Sequence, residues 1–382
     1  MRVVWRSRLS SNEMLVDKFG RLKPSVMLTV HDLIRLAAER KASDIFIKAG
    51  APPNWRLHGR IAAVDDNPML TPEDTRRMAY SVMSHEQIMQ FEHYPELDLA
   101  IEIPEITRVR VNIHKQRNSV GMVLRLVPLK IYTLDMLGMP PAVGEMTKNR
   151  SGLVLVTGPT GSGKSTTLAA MINKVNNEQA KNIITVEDPI EFVHPDIKSI
   201  ISQREVGIDT ESFSDALKYV VRQNPDIILI GEIRDVETVS VALQAAETGH
   251  LVFGTLHTSS ASETLDRLMH LFPPHEKGLL CLRLATTLKG ILSQKLLPRQ
   301  DAAGRVAAVE IMVVTPTVSK LIEEGRAGNI YTAIQEGGFW GMQTMNQCLA
   351  RYYKAGIITE DDAMHAAGNL TELRQMIRRP GA

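Results

Sequence analysis

The chain has 382 residues, enough for two or three domains, and 44% of them are apolar, enough to bury a core in each. Lys and Arg number 44 against 43 Asp and Glu, a net charge of +1, so the overall balance gives no support to a polyanionic partner and no nucleic acid is expected. The two cysteines, Cys281 and Cys348, have no metal-ligand spacing and fit a reducing, cytoplasmic compartment, and no apolar run approaches the ~20 residues that a membrane span needs.

Residues 1–28 carry Arg2, Arg6, Arg8, Lys18, Arg21 and Lys23 without the apolar core of a signal peptide, and read as a basic flexible tail. A helix is expected from Thr29, where Thr29 and Asp32 form a capping box and Val30, Leu33, Ile34, Ala37 and Ala38 share one face. Strands are expected at 44–48 and 55–61, and a second capped helix at Thr71. Arginine-rich strands follow at 108–112 and 120–127, a stretch holding Arg108, Arg110, Arg117 and Arg125; a solvated face is the ordinary fate of such charges. Residues 29–127 therefore read as a small α/β or α+β domain. Residues 128–150, with Pro128, Gly138, Pro140, Pro141 and Gly144, read as a linker.

In 151–382, buried runs at 153–156, 183–186, 227–230 and 251–253 alternate with helical patterns near 165–176, 212–222 and 236–247, which specifies a parallel α/β sheet with ligands at its C-terminal strand ends. Residues 276–382 read as mostly helical, with one strand at 306–313. The first run leads into Gly158-Pro159-Thr160-Gly161-Ser162-Gly163-Lys164-Ser165-Thr166, a phosphate-binding loop in its proper place between strand and helix. Its backbone N–H groups and the helix N-terminus surround phosphate oxygens, Lys164 reaches the β and γ phosphates of ATP, and Ser165 offers a hydroxyl to Mg²⁺.

Three clusters lie near the other strand ends. Thr185 to Glu191 closes the second strand with Glu187, Asp188 and Glu191, acids fit to hold Mg²⁺ through water or to take a proton from attacking water. Asp226 to Asp235 has the form of a Walker B element, but Gly231 stands where aspartate is usual, so the metal-side work falls to Glu232. Glu247 to His257 carries two histidines at opposite ends of a strand, roughly 23 Å apart at ~3.3 Å per residue. His257, at the C-terminal end, is the phosphate-sensing candidate, and His250 a structural one.

Taken together, GPTGSGKST, ITVEDPIEFVH, QREVG, GEIRD and AETGHLVFGTLHT resemble the Walker A, Asp box, Walker B and His box of the secretion ATPase superfamily, and within it the type IV pilus retraction ATPases of the PilT/PilU branch. The resemblance runs from about Thr29 to about Pro380 and includes ASDIFIKAG and GMQTMNQ. It implies a PAS-like N-terminal α/β domain before a RecA-like P-loop ATPase core with a helical C-terminal region. It also implies a homo-hexamer that hydrolyses ATP to drive pilus disassembly in twitching motility, held at the inner membrane by a pilus platform protein, with a paralogous retraction ATPase as a further partner. On this pattern Glu191 matches the Asp-box acid favoured as general base, with Glu187 the rival, and Arg110, Arg117 and Arg125 match N-terminal-domain arginines that close on the nucleotide. Ser319-Lys320 stands where the principal motors carry Arg-Asn, and residues 116–125 look more like the accessory motor, whereas the P-loop and GEIRDVET look like the principal one. Both assignments stay open. The paired C-x-x-C motifs of extension and type II secretion ATPases are missing, which favours retraction; a nucleotide-sensing accessory subunit of a partner motor is the alternative.

Overall fold

The first helix begins where the sequence supplies a cap: the Thr29 hydroxyl accepts from Asp32 N while the Asp32 carboxylate accepts from Thr29 N, opening α1 (Val30–Glu39). The computed structural model describes residues 28–378 except 58, 66, 104, 105 and 128–130, so the basic tail lies outside the described residues. The chain divides after Pro128 into two units, each with its own core.

In the first unit, α1 is followed by β1 (Asp44–Ile47), β2 (Asn54–Leu57), β3 (Arg60–Ala63), α2 (Pro72–Tyr80), α3 (His85–His93), β4 (Glu96–Ile103), β5 (Thr107–Gln116) and β6 (Ser119–Leu126). The strand expected at 55–61 is a hairpin of two, because Gly59, at φ +81°, turns the chain between β2 and β3. The strands form one antiparallel sheet in the order β3-β2-β1-β6-β5-β4. Strand alternation sends Val109, Val111 and Ile113 into a core with Trp55, Phe91, Leu33 and Ile34, and leaves Arg108, Arg110 and Asn112 on the other face.

The second unit contains α4 (Pro141–Met146), β7 (Gly152–Thr157), α5 (Lys164–Glu178), β8 (Asn182–Glu187), β9 (Ile200–Glu205), α6 (Phe213–Val220), β10 (Ile227–Ile230), α7 (Val236–Glu247), β11 (Leu251–Leu256), α8 (Ala261–Leu271), α9 (Lys277–Thr287), β12 (Leu288–Pro298), β13 (Arg305–Val313), α10 (Pro316–Glu323), α11 (Ile330–Glu336), α12 (Met345–Lys354), α13 (Glu360–Ala366) and α14 (Leu370–Arg378). Its sheet runs β13-β12-β7-β11-β10-β8-β9, parallel except for the β12–β13 hairpin. Apolar cores lie on both faces, which is why its central strands read as continuous apolar runs.

Two stretches depart from expectation. Part of the segment read as a linker folds into α4, with Pro141 in its first turn, and Leu134, Met139, Val143 and Met146 are buried in the core beneath α5. The C-terminal region is less helical than expected, because β12 continues directly from α9; buried on both sides, it lacks the alternation that would separate it from a helix.

Candidate active site

The phosphate-binding loop is moulded on β12. Gly158 (φ +147°) and Gly163 (φ +89°) sit in backbone regions that favour glycine, and a Cβ would lie 2.4 Å from the Gln294 carbonyl oxygen at the first and 2.8 Å from Gln294 Nε2 at the second. Gln294 Nε2 donates to the Ser162 carbonyl at 2.7 Å, and its Oε1 accepts from Thr167 Oγ1 at 2.8 Å, while the preceding Ser293 accepts from Thr157 at 2.9 Å. Gly163 caps α5 without a side chain, leaving the first-turn N–H groups available to an anion. Lys164 Nζ donates to the Gly158 and Pro159 carbonyls at 2.7 and 3.2 Å, and burial draws its pKa below the ordinary lysine value against the pull of Glu232 and Glu191.

This loop forms one wall of a cleft of about 710 Å³ at the C-terminal ends of the parallel strands. Thr160, Gly161, Gly163, Lys164, Ser165 and Thr166 line it together with Glu187, Glu191, Glu232 and His257. Glu187, at the end of β8, accepts from Thr185 Oγ1 at 2.7 Å and Gln203 Nε2 at 3.0 Å, and burial of its carboxyl pushes its pKa up. Glu191 is exposed to the cleft, and its side chain has no hydrogen bond or ion pair among the described residues. Glu232 follows β10. Arg234 Nη2 donates to it at 2.6 Å and, with His257 Nε2 at 3.4 Å, holds its carboxyl below the ordinary range. The Thr255 hydroxyl donates to the Gly231 carbonyl, tying this loop to β11.

His250 sits at the opposite end of β11, its Nδ1 2.9 Å from the Ala245 carbonyl. The described cleft residues named above belong to the second unit, and Arg110, Arg117 and Arg125 belong to the first. Arg110 lies directly across from Arg125 on neighbouring strands, and Arg125 Nε pairs with Asp44 at 3.0 Å. Arg117 is not on a strand but in the β5–β6 turn, with φ +45°.

Several residues in the cleft or supporting its walls escape sequence reasoning. Gln203, although inside the QREVG motif, is recognisable only once β9 pairs with β8 and brings it to Glu187. His194 is buried beside the cleft, which drives its pKa down to about 4, and only proximity in the fold distinguishes it. Arg305 enters from the start of β13. Gln294 carried no signal, since its strand read as part of a helical region.

The donors suit a magnesium nucleotide. Ser165 and Glu232 present hard oxygen ligands to one cleft, while no group of three or more His, Cys, Asp or Glu forms a metal cage among the described residues. Hard oxygen donors of this kind suit Mg²⁺, which keeps waters and phosphate oxygens as most of its ligands.

The model of the type II/IV secretion system protein family matches residues 22–351. The type IV pilus retractation ATPase PilT of Pseudomonas aeruginosa is 44% identical over 340 residues, covering 89% of this chain and 98% of the relative. The type IV pilus ATPase PilU of the same organism is 42% identical over 346 residues, covering 91% and 90%. A crystal structure of the pilus retraction motor PilT with bound ADP superposes with a TM-score of 0.85 at 45% identity, covering 91% of this chain and 99% of that one. The fold expected from the motifs, a small α/β domain before a P-loop core, is the fold found.

Proposed function

The chain belongs to the type II/IV secretion system protein family, and from that premise we propose that it is an ATP-hydrolysing motor that powers type IV pilus retraction as a homo-hexameric ring. The ring acts at the cytoplasmic face of the inner membrane, docked on a pilus platform protein and working beside a paralogous retraction ATPase. The names of its relatives, two pilus ATPases and a pilus retraction motor, support the process served. One observation carries the chemistry: Lys164 and the phosphate-binding loop share a single cleft with Glu191 and Glu232, whose charges act on Lys164.

Gly158 to Thr166 cradle the phosphates, with Lys164 neutralising charge that grows on the γ-phosphoryl oxygens. Ser165 and Glu232 would hold Mg²⁺, which when bound would supply Lewis-acid stabilisation of the phosphate oxygens. Glu191 is the general base. Water oxygen bonds to the γ-phosphorus, the bond to the β–γ bridging oxygen breaks, and the water proton passes to the Glu191 carboxylate. Glu187 suits this role less, because it already accepts from Thr185 and Gln203. His257, against Glu232, reports the state of the γ-phosphate to β11. Arg110, Arg117 and Arg125 are held as arginines delivered on closure, Arg125 being the weakest candidate because it serves Asp44.

Phosphate release and circular dichroism of Lys164→Ala test the reading. The expected outcome is a folded protein without ATP turnover; parental turnover in that folded variant overturns it.

A further inference from the structure

Gln294 is 2% exposed and lies on a strand outside the nucleotide motifs, yet its amide holds two parts of the phosphate cradle at once. Its Nε2–H grips the carbonyl of Ser162, at the crest of the loop, and its Oε1 receives the hydroxyl of Thr167, in the first turn of α5. A peptide unit is rigid, so turning the Ser162 carbonyl toward β12 turns the N–H of Gly163 away from it, toward the cleft that Gly163 lines. The two glycines point the same way: the space that a Cβ at Gly158 or Gly163 would need is filled by the backbone oxygen and side-chain nitrogen of Gln294. Leu296, two residues further on the same face, would lie 3.4 Å from a Cβ at Gly163.

We propose that Gln294 is a positioning residue for nucleotide phosphates: through Ser162 and Thr167 it fixes the direction of the P-loop N–H groups, and so sets affinity for the diphosphate without touching it. The inference rests on the nucleotide-binding reading above and goes beyond it in placing part of the phosphate site on the β12–β13 hairpin. That hairpin also carries the C-terminal helices, with Leu297, Val306 and Ala308 buried among Met345, Leu349 and Leu373, and Lys295 Nζ donating to the Ala366 carbonyl at 2.8 Å.

The test is ADP binding with Mg²⁺ by calorimetry, on the full chain and three variants. Gln294→Met keeps the length and removes both hydrogen bonds; its Kd for ADP should rise roughly 10- to 100-fold. Thr167→Val releases one limb and should weaken binding by a smaller factor, and it carries the test if Gln294→Met does not fold. Gln294→Glu separates positioning from mere packing. As a carboxylate it cannot donate to the Ser162 carbonyl, but once protonated it can, so its Kd relative to the parent should improve between pH 8 and pH 6, while that of Gln294→Met stays flat.

The groups facing position 294 are few. Lys164 is the titratable residue on the loop and the first turns of α5, β7 has none, Arg305 shares the face of Gln294 on β13 but pairs across from Pro298, four positions further along, and Glu310 pairs across from Ser293 and so faces the opposite side of the sheet. Binding within twofold of the parent in Gln294→Met and Gln294→Glu at both pH values, or in Thr167→Val and Gln294→Glu if Gln294→Met does not fold, overturns the inference. If the parent itself fails to bind ADP, it is the nucleotide reading that falls.

Discussion

Glu187 and Glu191 lie four positions apart and both face the cleft, yet their surroundings assign them different work. The donors Thr185 and Gln203 make Glu187 a fixed part of the wall and burial raises its pKa against them; Glu191 is exposed and its side chain has no hydrogen bond or ion pair among the described residues. A general base needs a free lone pair within reach of water more than it needs burial. Glu191→Gln is therefore expected to bind ATP with near-parental affinity and to lose turnover by roughly 100-fold or more, whereas Glu187→Gln loses less. Single-turnover rates with separately measured ATP affinity decide the matter: an undiminished rate in Glu191→Gln beside a dead, ATP-binding Glu187→Gln transfers the base role.

At the scale of elements, Asp44 clasps three strands of the first unit, pairing with Arg56 of β2 at 3.1 Å and Arg125 of β6 at 3.0 Å from its own place on β1. Burial opposes ionisation of Asp44, but the Ser43 hydroxyl and the two guanidiniums outweigh it and hold its pKa below the ordinary carboxylate value. A lowered folded-state pKa means that this stabilisation is complete above the unfolded carboxylate pKa and is lost as pH falls through the lower folded value. Asp44→Asn should cost roughly 1–2 kcal/mol at neutral pH, and the difference from the parent should shrink under acid, as read by urea denaturation at pH 7 and pH 3. Elements were legible where their environment leaves a mark in the sequence. The buried strands β7, β8 and β10 stood out as apolar runs between helical patterns, and α1 and α2 through their capping boxes. The hairpin partner β12 was illegible for the opposite reason, since with both faces buried it merges with the apolar residues of α9. The cleft was legible at the loops that follow strands, while Gln203, Gln294 and Arg305 arrive from strands whose pairing no local pattern announces.

For the molecule as a whole, the described cleft residues belong to the second unit and the candidate arginines to the first, so a part for them in hydrolysis joins residues of two units. Arg110 is the cleanest probe, with no ion pair among the described residues to lose. Arg110→Ala should depress turnover with little change in melting temperature, because an arginine completing the phosphoryl site is worth about 10³ to 10⁵ in rate in related systems. If the residue serves a neighbouring chain of a ring, mixing Arg110→Ala with Lys164→Ala restores part of the activity; unchanged turnover in the alanine variants of Arg110, Arg117 and Arg125 alike returns them to an ordinary solvated face.

The separate cores have an optical corollary. Of the three tryptophans, Trp5 lies outside the described residues, Trp55 is 5% exposed within the core of the first unit, and Trp340 is 56% exposed in the second. In a Trp5→Phe background the two remaining indoles differ in colour as well as position: Trp55 emits from an apolar cage at short wavelength, Trp340 from water at long wavelength. Opening of the first unit then registers as a red shift of the blue component, while the second unit, whose indole already emits from water, unfolds without a matching shift, so emission followed through a denaturant series beside circular dichroism distinguishes loss of the small domain from loss of the larger one.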